Sequence, residues 1–258
     1  MVSVTIAHNL IMQLQDILFT QGFGTRRVCA GLVQQGLVEV FIEKKWVPAL
    51  DLPAQQATEL IAPELQFKVQ GVPWKYHELA YVLLHKPAGD ECSHKPGAWP
   101  SVYTLLPSPL RLRPCKSAIQ GVQAVGRLDQ DTTGMLLLSD DGQFIHRMSS
   151  PKHHVPKIYQ VTCKHAVDTA QVAKLLGGVV LDDSPKPVRA AACERTGDHT
   201  LALTLTEGKY HQVKRMLAAV GNRVEGLHRS HIGGLTLEGL QPGAWRWLNA
   251  QDLAAIKS

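Results

Sequence analysis

Two short runs, Tyr81-Val82-Leu83-Leu84 and Met135-Leu136-Leu137-Leu138, carry no charge and no helical period, and they constrain the fold more than any other feature of the chain. Apolar runs of that length are central strands of a sheet. Tyr159-Gln160-Val161-Thr162 and Leu201-Ala202-Leu203-Thr204-Leu205 alternate as half-buried strands do. Helical patterns over 142–149, 170–176 and 210–220 fall between them at irregular intervals. Such spacing predicts an α+β fold with a mainly antiparallel sheet flanked by helices, not regular βαβ winding. Between the first two strands, residues 86–124 hold Pro87, Pro96, Pro100, Pro107, Pro109 and Pro114 and read as one long irregular excursion, a kind of loop that is often functional.

Ahead of this lies a smaller pattern. Leu14, Ile17 and Leu18 predict a short helix stopped at Gln21-Gly22-Phe23-Gly24. Thr25 then caps a second helix over 26–35, with Val28, Cys29, Leu32 and Val33 on its buried face. Arg26 and Arg27 fall in its first turn, where they oppose the helix dipole, so a partner outside the helix such as a phosphate backbone is expected for them. Val38, Val40 and Ile42 alternate as a strand, further short strands follow, and Pro73-Trp74 reads as a linker about which the first part can reorient. The expected division is residues 1–75 and 76–258.

Charge sharpens that division. The chain of 258 residues has a formal net charge of +5, yet acidic and basic side chains balance over residues 1–75, so the whole excess lies beyond. Basic clusters at 146–164 and 209–231 suit a polyanionic partner. The composition is that of a globular protein, and no apolar run approaches the roughly 20 residues of a membrane helix. The first ten residues do not read as a secretory signal, so a cytoplasmic protein is expected. The five cysteines are scattered, without a C-x-x-C, and suggest neither a disulfide frame nor a thiolate zinc site. His228 and His231 lack a predicted helix or acidic ligand and are not read as a metal site. Nothing resembles a heptad seam or an extended apolar patch, so a monomer is expected.

The densest chemistry is Gly126-Arg127-Leu128-Asp129-Gln130-Asp131-Thr132-Thr133-Gly134, directly before a buried strand. Glycines permit close backbone approach, and an aspartate held in such a loop can act as nucleophile or base. Residue chemistry alone leaves an ordinary Asp/Thr turn as an equal reading. The segment resembles the active-site signature of ribosomal RNA pseudouridine synthases. Lys86-Pro87-Ala88-Gly89, Lys157-Ile158-Tyr159, 207–216 with Tyr210-His211-Gln212-Val213-Lys214-Arg215-Met216, His228-Arg229 and Ile232-Gly233-Gly234 are similar to that family's other blocks, in its order. Residues 12–50 resemble the S4-type RNA-binding domain that precedes the catalytic domain in the RsuA-type branch, and 210–216 look closer to the small-subunit 16S branch than to the large-subunit ones.

The resemblance implies a small S4-like α/β domain followed by a pseudouridine synthase domain that isomerises a specific uridine of 16S rRNA, free or in an assembly intermediate. The N1 glycosidic bond breaks, the base rotates and is rejoined through C5, without cofactor or metal. The alternatives are a 23S rRNA enzyme and a noncatalytic RNA-binding or ribosome-assembly protein. Asp129 matches the family's catalytic aspartate, proposed either to attack the nucleotide or to remove a ribose proton. Arg127 matches the residue that holds the flipped nucleotide out of its stack, and Tyr159 the active-site tyrosine that stacks on uracil. Lys214 occupies the basic position expected to pair with Asp129, with Arg215 as the competing partner. His211 and Gln212 are expected to position backbone or RNA, and Arg26, Arg27, Lys44 and Lys45 to form an RNA-binding patch. The chain departs from the pattern at two places. Glu43-Lys44-Lys45-Trp46 stands where the S4-type hairpin has a tight Asn-Gly-like turn, and Asp90-Glu91-Cys92-Ser93 is acidic after Gly89, so the strand there is expected to end early.

Overall fold

The computed structural model describes residues 11–53, 60–61, 65–115 and 119–256. It divides into two compact units, one built from residues up to Ala80 together with Leu106–Val122, the other from Tyr81–Leu105 and the chain from Gln123 onward. The sequence division at 75/76 had assigned 76–80 and 106–122 to the larger part.

In the smaller unit, α1 (Leu14–Thr20) ends where Phe23 and Gly22 donate their backbone N–H groups to Leu18 and Phe19 carbonyls, a glycine-terminated close with Gly22 at φ 88°. A Cβ on Gly22 would lie 2.1 Å from the Pro109 carbonyl oxygen, so glycine is also what lets the 106–112 segment, which includes helix α3 (Ser108–Leu112), lie against this turn. Helix α2 (Arg26–Gln34) is capped by the Thr25 hydroxyl, which accepts from Val28 N. Cys29 is on its buried face, but Val28, expected beside it, is 49% exposed. Position 28 lies in the first turn, one residue off the stripe set by Cys29, Leu32 and Val33. Strands β1 (Val38–Ile42), β2 (Lys45–Pro48), β3 (Gln66–Val69) and β4 (Val72–Lys75) form an antiparallel sheet in the order β2-β1-β3-β4. Pro73 and Trp74 are therefore not a linker. They lie in β4, an edge strand, where a proline without an N–H is tolerated, and the Trp74 ring meets Phe23 edge-on at 5.2 Å. Leu14, Ile17, Leu18, Val38, Val40 and Phe67 make the core, each fully buried aliphatic side chain contributing about 1.5–3 kcal/mol.

The Glu43-Lys44 turn is tight in spite of its sequence. Ile42 pairs with Lys45, and both intervening residues take left-handed φ, 50° and 64°, the geometry for which Asn-Gly is favoured.

The larger unit is organised on one mixed sheet. The strands along its main path are β5 (Tyr81–Lys86), β6 (Thr133–Ser139), β7 (Lys157–Cys163), β8 (Ala192–Arg195), β9 (Thr200–Leu205), β10 (Val224–Ile232) and β11 (Trp245–Trp247), in the order β8-β9-β7-β10-β6-β5-β11. Neighbours are antiparallel except β10 and β6, so the fold is α+β with a mainly antiparallel sheet. β5 stops at Lys86, consistent with the acidic stretch after Gly89, and Glu91 returns only as an isolated bridge to Ser101. Helices α4 (Gly142–Ser149), α5 (Thr169–Gly177), α6 (Gln212–Ala219) and α7 (Ala250–Ala255) flank it. One core gathers Val161, Leu201, Leu203, Met216 and Leu217, and another Leu83, Met135, Leu137 and Phe144. Helix α6 begins two residues later than the pattern predicted because His211 is left-handed, φ 47°.

Candidate active site

The loop carrying Asp129 is fixed from below. Lys86, at the end of β5, is fully buried, and its ammonium donates to the carbonyls of Pro87, Gln130 and Thr132 at 2.9, 3.0 and 2.9 Å. All three N–H bonds of the ammonium are thereby matched to acceptors, while burial holds its pKa below the ordinary lysine value. The loop closes on itself through Thr132 N to Asp129 O and leaves as β6, where Thr133 Oγ1 lies 2.8 Å from His228 Nδ1. Gly134 meets Arg229 across the parallel β6–β10 pair, and a Cβ on it would fall 2.3 Å from the Arg229 carbonyl oxygen.

So held, the Asp129 carboxylate faces two cationic or polar groups from the start of α6. His211 Nε2 is 3.2 Å from one oxygen and Lys214 Nζ 3.3 Å from the other. Lys214 is closer still to Asp131, at 2.7 and 2.9 Å, so it bridges both carboxylates. Burial works against the charge on Lys214, but the Asp131 hydrogen bond and both aspartates outweigh it and raise its pKa. Asp131 shows the converse: partial burial pushes its pKa up, and Lys214 brings it down on balance. Arg215, expected as the alternative partner of Asp129, points elsewhere and pairs with Asp183 at 3.0 Å. The apolar side of α6, Val213, Met216 and Leu217, packs into the core as the periodicity predicts, and this sends 214 and 215 to different sides.

Tyr159, on β7 between Leu203 and Arg229, is buried and lines the same cleft, which has a volume of about 530 Å³, room for a nucleotide. Arg127 is exposed at its rim. Gln212 is 4% exposed: it accepts from Lys209 N and donates to Glu207, so it positions the backbone of the 207–209 loop at the cleft. Tyr210 and His211 stack with ring centroids 3.8 Å apart. In the smaller unit Arg26 pairs with Asp16 and sits 4.3 Å over the Phe19 ring, which meets its need for a partner inside the unit, whereas Arg27, Lys44 and Lys45 are exposed. Among the described residues no three His, Cys, Asp or Glu side chains gather as metal ligands, and His231 Nδ1 lies against the Ser230 hydroxyl.

Sequence reading assigned no role to Lys86, Lys157, Arg229 or Tyr210, which all belong to this neighbourhood. One signal was available: Lys157 and Tyr159 are two apart on a strand and so share a face.

A model of the RNA pseudouridylate synthase family matches residues 80–219. The chain is 40% identical over 194 residues to ribosomal small subunit pseudouridine synthase A of Pasteurella multocida, covering 75% of this chain and 80% of that protein. It is 37% identical over 248 residues to an uncharacterized RNA pseudouridine synthase of Bacillus subtilis, covering 94% and 97%. A crystal structure of a pseudouridylate synthase superposes with a TM-score of 0.63 at 32% identity, covering 95% of this chain and 99% of that one.

Proposed function

We propose small-subunit ribosomal RNA as the substrate of this chain, which belongs to the RNA pseudouridylate synthase family. The observation that carries the reading is the Asp129 carboxylate, held ready between His211 and Lys214 in a nucleotide-sized cleft beside Tyr159. The choice of RNA is supported by relatives about 40% identical that are named for the small ribosomal subunit.

The reaction is an isomerisation and needs no oxidant or co-reactant. The N1–C1′ bond breaks, a C5–C1′ bond forms, a proton leaves C5 and another is gained at N1. Uracil must leave its stack to be reached, at a cost of a few kcal/mol, and Arg127 at the rim holds the extruded state open. Asp129 is the group that acts on the nucleotide, and Lys214 and His211 orient it. Tyr159 lies under the uracil, and its hydroxyl serves as relay for the C5 proton. The smaller unit grips RNA through Arg27, Lys44 and Lys45. The enzyme acts as a cytoplasmic monomer, on rRNA or an assembly intermediate.

The test is tritium release from [5-³H]uridine-labelled 16S rRNA or a partly assembled small subunit. Wild type should release tritium, and Asp129→Asn should lower the rate by about three orders of magnitude or more. Release from 23S rRNA alone would overturn the substrate, and silence on both would return the weight to a noncatalytic RNA-binding protein.

A further inference from the structure

Arg229 is 3% exposed and lies in the wall of the cleft. Its Nε donates to the Met135 carbonyl at 2.8 Å, and its Nη2 is buried with no partner among the described residues. Lys157, on the neighbouring strand and on the same face as Tyr159, also lines the cleft and, among the described residues, gives one hydrogen bond, to the Val155 carbonyl at 3.0 Å. An ammonium has three donors, so two remain. Burial and the charge of Arg229 together lower the Lys157 pKa to about 8, as expected of two cations that feel each other without an anion between them.

The cleft has carboxylates, but each is held by something else. Asp129 faces His211 and Lys214, Glu91 accepts from the backbone N–H groups of Gly97 and Trp99, and Glu207 accepts from Gln212. Lys86 supplies the contrast, since its buried charge is fully matched by carbonyls. Burying unmatched cations is costly and is retained where a ligand supplies the counter-charge. A phosphate offers several acceptor oxygens and a negative charge, which suits an arginine with a free donor edge beside a lysine.

We propose that Lys157 and Arg229 form a phosphate site in the wall of the cleft, which takes the phosphodiester of the target nucleotide itself. This rests on the reading of the cleft as an RNA uridine site. The phosphate supplies the missing partner for Nη2, neutralises the pair, and fixes the ribose relative to Asp129. The 5′ and 3′ phosphates of a nucleotide share this chemistry, and the experiment separates them.

Binding of uridine, uridine 5′-monophosphate and uridine 3′-monophosphate to the full chain is measured by calorimetry. One of the monophosphates should bind wild type about tenfold or more tightly than uridine, and which one does so identifies the phosphate. Lys157→Gln should remove most of that advantage while uridine binding stays, and Lys157→Arg should keep it. Arg229→Gln should remove it as well; where that buried substitution prevents folding, the lysine pair decides. The proposal is overturned if neither monophosphate outbinds uridine, or if the advantage survives Lys157→Gln. Tritium release without a phosphate advantage sinks the phosphate site and leaves the enzyme reading. A Lys157-dependent advantage without release from any RNA does the reverse.

Discussion

Lys86 in the larger unit and Arg113 in the smaller are both shut away from solvent, and both hold backbone carbonyls. Lys86 gathers Pro87, Gln130 and Thr132, which are the loop that presents Asp129. Arg113 donates to Gln21 Oε1 at 2.9 Å and to the His77 and Glu78 carbonyls at 2.8 and 3.1 Å, which secures the 106–122 segment to its own unit. The same device does different work. One buried cation shapes a reacting loop, while the other closes an architecture whose cationic side chains, Arg27, Lys44 and Lys45, stay in water.

The comparison breaks most visibly by replacing each with an apolar residue of similar length. Lys86→Met and Arg113→Met both orphan buried carbonyls, and each should cost about 3 kcal/mol of unfolding free energy in its own unit. Their effects on catalysis should differ. At a temperature where both variants are folded, Lys86→Met should lower single-turnover tritium release by about tenfold or more through a loosened Asp129 loop, while Arg113→Met keeps the wild-type rate. Equal losses of rate would show that the smaller unit reaches the chemistry.

Lys157 sharpens the contrast with Lys86, because its charge is not matched. Its folded pKa of about 8 lies below the ordinary 10.5. Below pH 8 the lysine is charged in both folded and unfolded states, so the burial cost is fully present. Between pH 8 and 10.5 the unfolded chain binds more protons, and the contribution of this group to stability rises with pH. Lys157→Met should therefore stabilise the larger unit at pH 7 by about 1–3 kcal/mol, visible as a higher Tm, with the gap closing above pH 10. A Tm that falls at pH 7 would mean that the lysine already has a partner.

How much of this was legible follows from where each signal resides. The strands 81–84, 135–138, 159–162 and 201–205 and the helix from Arg26 announce themselves by local periodicity and capping, and the structure has them, the strands within slightly longer elements. The convergence of Asp129, Tyr159 and Lys214 on one cleft followed from ordered motifs. The roles of Lys86, Arg113 and Arg229 did not, because most of their partners are backbone carbonyls from segments far away in sequence, and a carbonyl has no signature in sequence. Pro73 misled for the opposite reason, since a proline signals a chain break locally and only the sheet order reveals an unpaired edge. Arg26 and Arg27 look alike in sequence, yet only the first finds Asp16 and Phe19.

That last difference gives a smaller effect. Replacing Arg27, Lys44 and Lys45 together by glutamine should raise KM for rRNA by about tenfold and flatten its salt dependence, with kcat unchanged. Arg26→Gln, by contrast, should cost stability of about 1 kcal/mol or less and leave KM alone, as an exposed ion pair does. An unchanged KM in the triple variant would remove RNA gripping from the smaller unit.

The smallest effect concerns the Glu43-Lys44 turn, where two left-handed residues persist without the Asn-Gly sequence that favours them. Something else must set the register, and Phe41 directly opposite Trp46, with ring centroids 5.0 Å apart and Lys68 Nζ 4.2 Å over the indole, is the cross-strand contact able to do so. Glu43→Asn with Lys44→Gly relieves the turn without touching that contact, and should stabilise the smaller unit by about 0.5–1 kcal/mol, read as a higher urea midpoint at unchanged m. Trp46→Ala should cost more than the relieved turn returns, because the aromatic pair, and not the turn, is what holds β1 and β2 in step. The opposite order of effects would assign the register to the turn and leave Phe41 and Trp46 as surface filling.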